Sequence, residues 1–442
     1  MNFNDLNINT PLIKALADLG YTKPTTIQQK AFSVIMSGRD VCGIAQTGTG
    51  KTFAYLLPCL RMWKYAKDRF PQILVLVPTR ELVVQVVEEV KKLSTYMPLN
   101  VIGVFGGVNM KPQAAAVEEG ADIIIATPGR LLDLVYDGSL RLKAIKQLVI
   151  DEVDEMLNLG FRTQLNNILD LLPPKRQNLL FSATITPDVE IMMHTYFNAP
   201  QTIEAAPTGT PLANINQTAY YVPNFYTKVN LLKLLLSQND DMTKILIFVA
   251  TKHLADQLFE QVETEYEGKA GIIHSNKEQN NRFNTIKQFQ DGTFRFIIAT
   301  DIVARGLDIA EVSHVINFDT PEIPEDYIHR IGRTGRAEKK GVAIAFITER
   351  EKENQLAIEK LMNYTIPILP LPIDLEISDV LTEEEKPKVR MKEVFVKLPK
   401  LEESGPAFHP KKAKNLKVNV KIKYADKMMA KYGKPIKRKP KK

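Results

Sequence analysis

Ala45-Gln46-Thr47-Gly48-Thr49-Gly50-Lys51-Thr52 is the stretch on which the reading turns. An apolar run at residues 41–45 precedes it and reads as a strand; a helical pattern opens behind it. That is the setting a phosphate-binding loop requires, with Ala45 where the usual pattern has its first glycine. Gly48 and Gly50 let the backbone wrap closely enough for several N–H groups to face phosphate oxygens. The helix N-terminus adds a partial positive charge. Lys51 is placed to reach the β- and γ-phosphates of a nucleotide, and Thr52 to offer a hydroxyl to Mg²⁺. Gln46, Thr47 and Thr49 complete the loop.

Such a loop needs an acidic partner. Leu148-Val149-Ile150-Asp151-Glu152 reads as a buried strand ending in two carboxylates. Asp151 is placed to hold Mg²⁺ through water, and Glu152 to orient or deprotonate an attacking water. Near the start, Tyr21 and Gln28 stand seven residues apart. An aromatic ring and an amide at that spacing suit the face and the hydrogen-bonding edge of adenine.

Further strand-like runs lie at 73–77, 101–105, 123–126 and 179–181, with helical patterns such as 81–96 between them. A second series follows at 218–222, 245–249, 271–274, 296–299, 315–318 and 343–347. Unbroken Val, Ile and Leu runs are expected of parallel strands covered on both faces. Their alternation with helices predicts an α/β fold with mainly parallel sheets. Two six-strand series predict two domains, at 1–205 and 217–373. The Pro-, Thr-, Gly- and Asn-rich segment 206–216 is read as the linker.

The 442 residues are 44% hydrophobic and 25% charged, which excludes wholesale disorder. No apolar run approaches the roughly 18 residues of a membrane span. Residues 1–10 lack a basic cluster followed by an apolar core, so no secretory signal is expected. Two cysteines without a CxxC exclude a disulfide framework and a cysteine-built zinc site; a reduced, cytoplasmic protein is expected. Charge is unevenly divided. Residues 386–442 hold 20 Lys and Arg against four acidic residues, +16, while the remainder carries 38 against 47, −9. Residues 374–442 are therefore read as a basic, mostly disordered extension, weakly helical at 424–432. A basic tail on an acidic body favours an anionic polymer as partner, with a purely solubilising tail as the alternative.

Taken together the chain resembles the DEAD-box ATP-dependent RNA helicases of superfamily 2, of the bacterial RhlE-like type, over roughly residues 1–370. The resemblance rests on Gln28, the AQTGTGKT loop, Pro78-Thr79-Arg80-Glu81-Leu82, Gly106-Gly107 and Thr127-Pro128-Gly129-Arg130. It continues through Asp151-Glu152-Val153-Asp154, Ser182-Ala183-Thr184, Gln279 and Arg282. Ala299-Thr300-Asp301, Arg305-Gly306-Leu307-Asp308 and His329-Arg330-Ile331-Gly332-Arg333-Thr334-Gly335-Arg336 close the set.

The resemblance implies two RecA-like domains that bind ATP, Mg²⁺ and RNA in and across their cleft. Tyr21 would stack on adenine and Gln28 read its edge. Ser182 and Thr184 would couple hydrolysis to unwinding, with Asp154 and His329 in the same network. Asp301 would hold the ribose, and Arg333 and Arg336 would act as arginine fingers. Arg80, Gly107, Thr127, Gly129, Arg130 and Thr300 lie in segments that contact the RNA backbone in the family, without sequence specificity. Larger ribonucleoprotein or RNA-decay assemblies would be partners, and no membrane. Two positions depart from the family pattern: Val153 replaces Ala, and Ser275 replaces the Gly that often follows His274. The same motifs serve an ATP-gated RNA clamp. A DNA helicase of the same superfamily is disfavoured by the Gln motif and by Thr127–Arg130.

Overall fold

Residues 123–126 show why the apolar runs become strands. Ile123 and Ile125 enter one core while Ile124 and Ala126 enter another, all fully buried. Successive strand residues face opposite sides, so a strand covered on both sides is apolar throughout. The computed structural model describes residues 2–45, 49–68, 70–204, 214–277, 279–301, 312–335, 340–386 and 424–433. Gln46, Thr47 and Gly48 of the loop, Arg305–Asp308 of the motif set, and Arg336 lie outside the described residues, as does most of the expected basic extension.

The first half holds β1 (Val41–Ile44), β2 (Ile73–Leu76), β3 (Val101–Val104), β4 (Ile123–Ala126), β5 (Gln147–Asp151), β6 (Gln177–Ser182) and β7 (Gln201–Glu204). Helices α1 (Thr10–Asp18) and α2 (Thr26–Met36) precede β1. The connections carry α3 (Lys51–Met62), α4 (Arg80–Leu93), α5 (Met110–Glu118), α6 (Pro128–Asp137), α7 (Val153–Asn158), α8 (Arg162–Leu171) and α9 (Pro187–Tyr196). The second half holds β8 (Ile215–Tyr221), β9 (Ile245–Phe248), β10 (Ala270–Ile273), β11 (Phe296–Ala299), β12 (His314–Asn317), β13 (Gly341–Ile347) and β14 (Ile368–Leu369). Among its described helices are α10 (Phe225–Gln238), α11 (Lys252–Glu263), α12 (Gln279–Gln290), α13 (Pro324–Ile331) and α14 (Lys352–Met362).

Each half forms a seven-stranded sheet, ordered β3-β4-β2-β5-β6-β1-β7 and β10-β11-β9-β12-β13-β8-β14, and the strand pairings are parallel. Counted within its own half, every strand holds the same place in both sheets. The chain is thus two RecA-like α/β domains in tandem. The loops that carry the sequence motifs leave the C-terminal ends of the strands, where open α/β sheets bind ligands. No helix among the described residues is long and apolar enough to cross a membrane.

Three expectations change. Each sheet has a seventh strand that a search for buried apolar runs misses. In β7 only Ile203 is buried, and β14 is two exposed residues between Pro367 and Pro370. The linker expected at 206–216 is shortened at its end, because Ile215 and Asn216 pair with Gly341 and Val342 and Ile215 enters the core beside Tyr327. The extension expected from 374 begins later. Residues up to Lys386 belong to the same compact unit as both sheets, and residues from Pro387 onward form a second. The cause is local hydrogen bonding. Glu385 Oε1 accepts the Phe225 N–H (2.7 Å) at the first turn of α10, and the Ser378 N–H donates to Thr227 Oγ1 (3.0 Å). In the second unit a helix, α15 (Tyr424–Tyr432), carries exposed Met429 and Tyr432.

Candidate active site

Gly50 caps α3 with φ +89°, a left-handed conformation that glycine alone adopts without strain. A Cβ there would stand 2.5 Å from Gln28 Nε2 and 3.0 Å from Thr25 Oγ1, so the close approach of α2 also demands glycine. Lys51 follows at the first turn. It is 7% exposed, and its Nζ has no hydrogen-bond partner among the described residues. A buried ammonium with no acceptor is costly, and a phosphate would supply the missing oxygens.

Gln28 is more occupied than its spacing suggests. Its Nε2 donates to the Gly50 carbonyl (3.1 Å) and its Oε1 accepts the Thr25 N–H (3.0 Å), closing a capping box on α2. One N–H and one oxygen lone pair remain, the pair an adenine edge needs. The same amide also braces the loop. Gln28→Ala is therefore expected to weaken GTP binding as well as ATP binding, by about two- to tenfold for one lost hydrogen bond. Titration of both nucleotides checks this; unchanged GTP affinity would contradict the bracing role. Tyr21 stands half-exposed, edge-on to Phe53 at 5.1 Å.

The acidic strand β5 ends at buried Asp151. Its Oδ1 accepts the Glu152 N–H (3.0 Å) and its Oδ2 the Tyr55 hydroxyl (3.0 Å). Burial pushes the Asp151 carboxyl above its ordinary range, against the opposing pull of Lys51 and Tyr55. Glu152 is 8% exposed and sits at φ +53°. A non-glycine residue in that region stores strain, which clusters at functional sites. Val153 is fully buried in the core with Met156, so its extra methyl groups are absorbed by packing.

Asp154, Ser182, Thr184 and His329 are brought together as expected from the motifs. Asp154 Oδ2 accepts from the Ala183 N–H (3.1 Å), the Thr184 N–H (2.9 Å) and the Thr184 hydroxyl (2.9 Å). Ser182 Oγ donates to the Thr184 carbonyl (2.6 Å). His329 Nε2, from α13 of the second half, lies 3.9 Å from the same Asp154 oxygen. Burial would raise the Asp154 carboxyl, but His329, Lys51 and the Thr184 hydroxyl outweigh it and hold it below the usual range. Asp154 therefore stays ionised and acts as the hub of the network.

In the second half, Asp301 is gripped by Arg330, through Nε to Oδ1 (2.6 Å) and Nη2 to Oδ2 (2.7 Å). Arg330 also donates to Asn317 Oδ1 and the Asp319 carbonyl. Motif spacing alone gives no sign that this arginine orients the expected ribose-binding carboxylate. Arg333 follows α13 and is 4% exposed.

A cavity of about 510 Å³ lies between the halves, lined by Arg80, Thr127, Gly129 and Arg130 on one side and Ser275, Lys277 and Arg282 on the other. Gly107 and Thr300 are not in its lining. Gly107 instead serves Arg80: a Cβ at its φ of +77° would stand 1.9 Å from Arg80 Nη2. Ser275 places a hydroxyl side chain in the wall. Arg282 Nη2 pairs with buried Glu81 Oε1 (2.5 Å), an ion pair that ties the halves together at the cavity's edge.

Comparison with known proteins agrees with this geometry. Residues 25–192 match the DEAD/DEAH box helicase family, and residues 227–338 the helicase conserved C-terminal domain. DEAD-box ATP-dependent RNA helicase 30 of Arabidopsis thaliana is 39% identical over 83% of this chain and 63% of its own length. ATP-dependent RNA helicase DbpA of Bacillus subtilis is 36% identical over 85% of this chain and 78% of its own. The structure of S. cerevisiae Dbp5 bound to RNA and ADP BeF3 superposes with a TM-score of 0.76 at 32% identity, covering 83% of this chain and 95% of that one. The chain belongs to the DEAD/DEAH box helicase family, and it is a DEAD-box helicase with ATPase activity.

Proposed function

We propose that the protein binds single-stranded and duplex RNA across its two domains and separates short duplexes, with ATP hydrolysis stimulated by RNA. The observation that carries this is that both halves contribute to both sites. His329 of the second half sits 3.9 Å from Asp154, and Arg282 pairs with Glu81 beside an arginine-lined cavity. Lys51 would grip phosphates and Tyr21 and Gln28 the base; Asp301, oriented by Arg330, would hold the ribose. Thr52 and Asp151 would supply a hydroxyl and a carboxylate to Mg²⁺, an ion that neutralises phosphate charge when bound. Glu152 would orient and deprotonate the attacking water, and Arg333 would supply positive charge to the transition state. Arg80, Thr127, Gly129, Arg130 and Arg282 would track the RNA backbone, which carries no sequence information.

RNA that spans both halves favours their closure, and closure completes the hydrolytic site. The RhlE-like subtype rests on the motif set alone, and so does a place in larger ribonucleoprotein or RNA-decay assemblies. A cytoplasmic location is proposed from the two cysteines without a CxxC. A short RNA duplex with a single-stranded extension, incubated with ATP, tests the function. Strand displacement is expected with ATP and not without nucleotide; ATP-dependent retention of an intact duplex would make the protein a clamp.

The basic tail is proposed as an RNA tether. Ending the chain at Lys386 removes most of the +16 charge and none of the family motifs. The ATPase rate at saturating RNA should hold, while half-saturation moves to higher RNA concentration. The salt slope should become shallower by roughly 0.7 for each phosphate of a single strand that the tail no longer neutralises. RNA titrations at two salt concentrations compare the two chains; equal half-saturation and equal slopes would leave the tail without an RNA role.

A further inference from the structure

We infer that Tyr55 is a positioning residue that presets the Asp151 carboxylate for magnesium. This rests on the nucleotide-site reading above. Thr52 and Tyr55 lie one turn apart on α3, so their side chains share a face. The Tyr55 hydroxyl donates to Asp151 Oδ2 at 3.0 Å. Asp151, fixed at Oδ1 by the Glu152 N–H and at Oδ2 by Tyr55, keeps one orientation.

Tyr55 suits this part. It is fully buried, and its ring packs against Phe181 at 5.3 Å. A buried tyrosine needs a partner for its hydroxyl. Here the partner is Asp151, the carboxylate expected to serve magnesium. The residue lies in Phe53-Ala54-Tyr55-Leu56-Leu57, where only the hydroxyl distinguishes it from core. Outer groups that orient metal ligands typically account for about 10- to 100-fold in metal affinity.

The test measures binding, not turnover. A fluorescent ADP analogue is titrated into the full-length protein at a series of free Mg²⁺ concentrations and in EDTA. Tyr55→Phe keeps the ring and removes the hydroxyl. Its affinity in EDTA should match the parent, while the Mg²⁺ midpoint for tightening should rise about 10-fold or more. Phe181→Leu is the control, since it loosens the ring's packing without touching the hydrogen bonds; it should lower the melting temperature and leave the midpoint in place. A Tyr55→Phe midpoint equal to the parent's overturns the proposal. Equal shifts in both variants also overturn it, by assigning the effect to packing. A parent protein whose nucleotide affinity ignores Mg²⁺ would instead overturn the nucleotide-site reading on which the proposal stands.

Discussion

Arg333→Ala should leave ATP affinity within a few-fold of the parent and lower RNA-stimulated turnover at least about a hundredfold. An arginine brought to a phosphoryl-transfer site is worth on the order of 10³–10⁵ in rate. The asymmetry follows from where the contacts lie. Lys51, Thr52, Gln28 and Tyr21 belong to the first half, so most ground-state binding survives the substitution. Arg333 comes from the second, directly after the helix Pro324–Ile331 that carries His329 to within 3.9 Å of Asp154. Helix α13 thus faces the acidic network, and Arg333 follows its C-terminal end. Equilibrium binding of an ATP analogue and steady-state ATPase at saturating RNA check the two halves of this expectation. Normal turnover would remove Arg333 from the hydrolytic site.

Glu152→Gln should bind ATP and RNA like the parent and hydrolyse ATP slower by roughly 10²- to 10⁴-fold, the usual weight of a general base. Gln keeps the length of the side chain and the backbone demand at φ +53° but cannot accept a proton. With hydrolysis slowed, the ATP- and RNA-bound state should persist, and RNA should leave more slowly in ATP than in ADP. Single-turnover hydrolysis and an RNA chase measure both. A parent-like hydrolysis rate would mean that another group handles the water.

Much of this is legible in residue order. Buried parallel strands are apolar throughout, so the central strands stand out; β7 and β14 do not, because an edge strand buries little. The phosphate loop declares itself through glycine, which only a few backbone shapes require. Contacts between residues distant in sequence are illegible. Nothing in the spacing of Asp301 and Arg330 predicts a two-point ion pair. Lys228, on α10, is likewise buried between Asp319 and Glu351, both at 2.9 Å. Burial alone would lower the lysine's pKa, and the two carboxylates outweigh that and raise it. Glu81 and Arg282 belong to separate motifs, and neither motif hints that the two side chains meet. Tyr55 is hidden for the opposite reason: inside an apolar helix its hydroxyl reads as incidental.

On the proposed function, RNA bridges the two domains and so completes the ATPase site. Steady-state ATP hydrolysis by the full-length protein, measured side by side with no nucleic acid, saturating single-stranded RNA and saturating single-stranded DNA of the same sequence, tests it most directly. Low turnover alone, strong stimulation by RNA and weak stimulation by DNA are expected, because only RNA offers 2′-hydroxyls along the backbone. Turnover as fast without nucleic acid as with RNA would contradict it, for the site would then be complete before any strand had joined the domains.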